Sequence, residues 1–121
     1  AGGVRLMPSL PEFQVDQLAL PAERYVAAHR AAERVALTVI ASIPARIRGR
    51  HDVWELLALL APELGEWTAF WSYLAPRVEV AAAGEHAIIG EREANDLVRD
   101  LRGFSRDAAR SIRRRGRPAA S

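Results

Sequence analysis

Apolar residues recur along this chain at intervals of three and four, and no segment shows the two-residue alternation of a half-buried strand. Tyr25, Ala28, Ala32, Val35, Ala36, Val39 and Ile43 trace one helical face, with Arg24, Arg30, Glu33 and Arg34 mostly off it. Pro21 fits the first helical position, where no amide hydrogen bond is needed, and Glu23 complements the positive helix end. A first long helix is therefore predicted from Pro21 to near Pro44. Residues 44–50 hold Pro, Gly and three Arg without periodicity and read as a connecting loop. Asp52-Val53-Trp54-Glu55 is a capping box that starts a second helix at Val53. Pro62 cannot sit inside that helix without a kink or a restart. Beyond it Leu64, Trp67, Phe70, Trp71 and Leu74 form a bulky stripe, Pro76 predicts a bend, Val78, Val80 and Ala81 continue the helix, and Gly84 is a natural stop. After a turn over 85–90, Glu91 and Glu93 open the last helix, whose stripe is Ala94, Leu97, Leu101, Phe104, Ala108 and Ser111, broadened by Val98 and Ile112.

The pattern predicts an all-α, up-and-down bundle of about four helices over residues 21–113. A lead-in, residues 1–20, with a capping box at Ser9 to Glu12, precedes it. A basic tail, residues 114–121, where Arg, Gly and Pro break the periodicity, is expected to be disordered. A chain of 121 residues suits one domain. No apolar run approaches the roughly 18 residues of a membrane span, and the first residues do not form a secretory signal, so a cytoplasmic protein without membrane association is expected. Cysteine is absent, which excludes disulfides, thiolate metal sites and a cysteine nucleophile.

Charge sharpens this picture. All 17 basic residues are arginine, beside abundant alanine, the bias of a GC-rich coding sequence. The net charge of +2 hides segregation: residues 1–51 carry seven Arg and four acids, 52–96 two Arg and nine acids, and 97–121 eight Arg and two acids. Basic ends flank an acidic middle. Arg106, Arg110 and Arg113 at near-helical spacing after Arg102, then Arg114, Arg115 and Arg117, suit phosphate contacts, as do Arg46, Arg48 and Arg50 in the loop. A purely solvating tail has the same composition.

The remaining candidates each have a functional and a structural reading. His29, one step off the first stripe, suits a ligand or base, or a hydrogen-bonded boundary residue. His86 is expected to be exposed. The three histidines lack the spacing that would put two ligands on one helix face, so neither a metal site nor a cofactor is expected. Glu63 and Glu66 would form an acidic cluster with Asp96 and Asp100, or a solvated face pairing with Arg. Trp67 and Trp71, four apart, suit a partner surface or the core. Gln17-Leu18-Ala19-Leu20-Pro21 resembles the short peptide with which bacterial replication and repair factors dock on the sliding clamp, Gln17 for the rim and Leu18 and Leu20 for the cleft. The alternative is a lead-in whose leucines dock onto the bundle.

Pro21-Ala22-Glu23-Arg24-Tyr25 with His29, Trp54-Glu55-Leu56-Leu57, Ala61-Pro62-Glu63-Leu64, Glu66-Trp67, Phe70, Arg92-Glu93-Ala94, Asp96-Leu97 and Asp100 together resemble an actinobacterial branch of the HEPN domains, over roughly Pro21 to Ile112. The resemblance implies a helical bundle, commonly homodimeric, in a family associated with nucleotide binding. Some members are metal-independent ribonucleases that use an arginine and a histidine, with four to six residues between them, from both copies of the dimer. Arg46 and His51 have that spacing, His51 as acid or base and Arg46 on the phosphorane charge. They lie before the second helix, whereas the ribonuclease motif belongs to a later one. The leading expectation is thus a non-enzymatic module contacting RNA, DNA or a nucleic-acid-processing partner. A HEPN-type endoribonuclease and a purely structural interaction module are the alternatives.

Overall fold

The computed structural model describes residues 12–116, and every regular element in that range is helical. A short helix α1 (Glu12–Val15) leads into α2 (Pro21–Ala41), α3 (Val53–Leu60), a single 3-10 turn (Pro62–Leu64), α4 (Gly65–Ala82), another (His86–Ile88) and α5 (Glu91–Gly116). Ser9 and Arg117, with the rest of 1–11 and 117–121, lie outside the described residues.

Local chemistry explains the boundaries. Pro21 occupies the first turn of α2 without a side-chain cap. The capping box at α3 is complete: Glu55 N–H donates to Asp52 Oδ1 at 2.8 Å and Asp52 N–H to Glu55 Oε1 at 2.9 Å. Pro62 ends α3 and restarts the chain as the 3-10 turn, whereas Pro76 is held inside a continuous α4. Gly84 has φ 117°, open to glycine without strain. Its N–H donates to the Ala81 carbonyl and that of Glu85 to the Val80 carbonyl, the paired bonds of a Schellman stop. At the other end of the chain the helix outruns the expected tail: Arg113, Arg114 and Arg115 form the last turn of α5, where cations complement the negative helix end.

α2 packs most extensively on α5, and α4 runs antiparallel to α5, tied by Arg77 to Glu93 at 2.6 Å and by the Trp67 indole N–H to Asp107 at 2.8 Å. The segment after α2 is not a tight turn. Trp54, at the start of α3, meets His29 in the third turn of α2 with ring centroids 5.9 Å apart. Ala41 lies about 18 Å further along α2 at the helical rise. Residues 42–52 therefore carry the chain back along the bundle.

Two textures make up the core. Ala28, Ala32 and Ala36, all without exposure, give α2 a smooth face. Beside it Trp54, Trp67, Phe70, Trp71 and Phe104 form a continuous aromatic cluster, with Trp71 stacked between Trp54 and Trp67 at 6.2 Å from each. His29 is buried against it and donates from Nε2–H to the Trp71 carbonyl at 3.0 Å, which leaves Nδ1 as the ring's acceptor. No helix among the described residues is long and apolar enough to cross a membrane.

Candidate nucleic-acid interface

The expected arginines separate by what they touch. Arg46, Arg48 and Arg50 lie exposed on the returning segment, and no carboxylate among the described residues stands within ion-pair distance of them. Gly49, with φ 94°, makes the turn that lets His51 Nε2–H donate to the Arg48 carbonyl at 2.9 Å. That bond leaves Nδ1 of His51 as the acceptor in the neutral ring. Arg46 and His51 thus share one irregular segment and not a helix face.

On α5, Arg106, Arg113 and Arg114 are exposed without an ion-pair partner among the described residues, while Arg110 sits 3.4 Å from Asp107. Arg115 is committed to the fold. Its guanidinium lies 2.6 Å from Glu63, donates to Ser111 Oγ at 2.5 Å and reaches the Leu60 carbonyl at 3.3 Å. Ser111 in turn donates to Glu63 at 2.5 Å. Burial opposes the Glu63 charge, but the bonds from Ser111, its own backbone and Arg115 outweigh it and hold the carboxyl below its usual value. The phosphate contact expected of Arg115 is therefore replaced by a clasp between the α3–α4 junction and the end of α5.

The acidic residues do not form the cluster expected of them. Glu63 lies beside Ser111, about 16 Å along α5 from Asp100 at the helical rise. Asp96 and Asp100 instead border a groove with Phe70, Leu74, Leu97 and Tyr25. This groove was not legible in the sequence, where its members read as stripe and solvated face.

Of the partner-surface candidates, Trp71 is fully buried and has no face to offer, while Trp67 is half-buried with its N–H on Asp107. Gln17 to Pro21 is not a free peptide. The Gln17 and Leu18 amides close a turn on Gln14 and Val15, Arg24 donates to the Leu18 and Ala19 carbonyls at 2.8 and 3.1 Å, and Pro21 begins α2. Gln17 and Leu20 remain exposed and Leu18 is half-buried beside Ala22 and Val26. Docking as an extended strand would require Arg24, which is buried and paired with Glu91, to release them. His86 is exposed, as expected.

No curated protein and no solved structure matches the chain. A sequence profile of SAV_6107-like HEPN domains, however, matches residues 16–109, from the turn after α1 nearly to the end of α5. The match spans most of the chain, with α2, α3, α4 and most of α5, so the protein belongs to the SAV_6107-like HEPN family.

Proposed function

We propose that the protein is a non-enzymatic HEPN module, working as a homodimer, that contacts RNA or DNA, or a partner that handles them, through residues 42–52 and the end of α5. The observation that carries this reading is the pairing of arginines. Arg24, Arg30, Arg77, Arg99, Arg102, Arg110 and Arg115 each have a carboxylate neighbour. Arg46, Arg48 and Arg50, together with Arg106, Arg113 and Arg114, stand exposed without an ion pair among the described residues, as do Arg34 on α2 and Arg92 at the start of α5. An unpaired guanidinium on an irregular exposed segment keeps its donors for phosphate oxygens. Contacts from the three arginines of the returning segment and from Arg113 and Arg114 would give a log–log salt slope of roughly −3.5 to −4.5.

The test is fluorescence polarisation with labelled single-stranded RNA and with duplex DNA over a range of salt. The triple variant Arg46→Ala, Arg48→Ala, Arg50→Ala should weaken binding and flatten the slope by about 2 to 3. An unchanged slope sinks the assignment of the segment. The ribonuclease reading has one observation in its favour, the hydrogen bond that orients His51 and frees Nδ1 as a base. Metal-independent RNA cleavage that disappears in His51→Ala would put that reading in place of the proposal.

A further inference from the structure

α4 is apolar on both sides. Thr68, Trp71, Val78 and Ala81 turn into the core, and opposite them Ala69, Tyr73, Pro76 and Val80, spaced by four, three and four residues, form an exposed face. Tyr73 is 84 % exposed and Val80 45 %. No charge falls between Trp67 and Pro76, and Glu66, Arg77 and Glu79 stand at the edges of the face. Outer positions of α5, by contrast, hold Arg99, Arg102 and Arg106. An outward helix face ordinarily carries charge, and a helix apolar all round belongs in an interior. α4 therefore has the sequence of a helix covered on both sides.

The face is complementary to itself. A two-fold contact lays one patch against the same patch of a second copy, so a charge at its centre would meet its own like, and here the centre has none. Antiparallel pairing of two α4 helices about the level of Trp71 sets Tyr73 of each copy over Ala69 of the other, a large side chain on a small one. The same register brings Glu66 of each copy within one helical step of Arg77 of the other. Glu66 has no ion pair among the described residues, and the Arg77 side chain is 42 % exposed. Helical side chains lean toward the N-terminus of their own helix, which carries each Tyr73 hydroxyl along the facing helix from Ala69 toward Ser72. There the Ser72 carbonyl lacks its i+4 donor, because Pro76 has no N–H, and can accept from that hydroxyl.

We propose that a second copy of this chain docks on the outer face of α4, antiparallel, with Tyr73 as the central anchor and Glu66 and Arg77 paired at the rim. The inference rests on the dimeric part of the proposed function and assigns its face. One helix per copy covers less than the roughly 800 Å² per partner of a standard interface, so the dimer should exchange with monomer at concentrations on the order of micromolar. The exposed arginines of residues 46–50 and of the end of α5 take no part in the contact.

Sedimentation velocity of the full chain, from about 1 μM to 1 mM, is the direct test. The wild type should pass from monomer to dimer across that range. Tyr73→Arg, a change at an exposed position that spares the core, should weaken association at least thirtyfold, on the order of a central aromatic anchor. Leu37→Arg adds the same charge to an exposed leucine on a patch lined by α2 alone, and should change it by less than about twofold. A dimer that survives Tyr73→Arg overturns this face and leaves the dimer itself standing, whereas a monomer at every concentration overturns both. The register has its own test, since the chain contains no cysteine. Ser72→Cys should be linked between copies by a short bis-maleimide, and Val80→Cys, which the antiparallel pairing holds roughly 27 Å from its counterpart, should not. Linkage at both positions would mean parallel helices and refute the arrangement.

Discussion

Ala28, Ala32 and Ala36 are fully buried at intervals of four on the helix that packs most extensively on α5. Methyl side chains let two helices approach toward the short end of the roughly 8–10 Å range of helix packing. Ala32→Leu adds three carbons to that face. If room existed, their burial would contribute about 2 kcal/mol of stability at ~0.8 kcal/mol per methylene. If the contact is as close as the zero exposure of Ala32 indicates, the helices must part or the leucine must leave its rotamer, a loss of about 1–3 kcal/mol. The two cases differ in sign. Near 100 folded residues, 1 kcal/mol corresponds to roughly 4 °C, so Ala32→Leu should lower Tm by about 4–12 °C. The exposed α4 position Ala69, changed to Leu, should alter stability by less than about 0.5 kcal/mol. Thermal and urea unfolding followed by far-UV circular dichroism gives both values. An Ala32→Leu protein as stable as wild type would refute the close packing of this face.

Two further outcomes are expected. Asp52→Ala removes a cap whose side chain accepts from Glu55 N–H at 2.8 Å, and should cost about 1 kcal/mol in urea unfolding with an unchanged m value; no loss would mean the box does not hold α3 in place. Glu63→Gln should lower Tm at neutral pH. Because the folded-state carboxyl lies below its unfolded value, the charge contributes stability above the unfolded pKa and loses it as pH falls through the folded one. The gap between wild type and Glu63→Gln should therefore close on acidification below the ordinary glutamate range, and a gap constant with pH would rule out the clasp as its source.

The sequence carried the helices well because their ends are chemical. Pro21, the Asp52 box, Pro62 and Gly84 each act through the local backbone, so no tertiary information is needed to place them. Long-range facts were less visible. Trp67 and Trp71 share one stripe, and periodicity cannot tell that Trp71 is wholly enclosed while Trp67 turns its N–H to Asp107, forty residues away in sequence. The path of residues 42–52 depends on where Trp54 finds His29, a contact between helices. The acidic residues failed as a cluster for the same reason, since Glu63 was claimed by Arg115 and Ser111.

That last exchange bears on function. A run of Arg113, Arg114 and Arg115 looks uniform in sequence, yet the helical turn points one of the three inward to the clasp and leaves the others exposed. Charge-reversal or alanine variants of the whole run would therefore confound stability with binding. Arg115→Ala leaves Glu63 without its cation and acts on the fold first, whereas Arg113→Ala and Arg114→Ala act on any phosphate contact without loosening the bundle. The same sorting extends along the chain: where an arginine is part-buried on a carboxylate, as Arg24 and Arg115 are, its loss should register in Tm, exposed pairs such as Arg99 with Asp96 should contribute little, and the unpaired arginines of the proposed surface should register in the salt dependence of binding. Arg46, Arg48 and Arg50 all fall in that last class, and that is why the segment, and not the basic run of α5, is the sharper place to test the proposed contact.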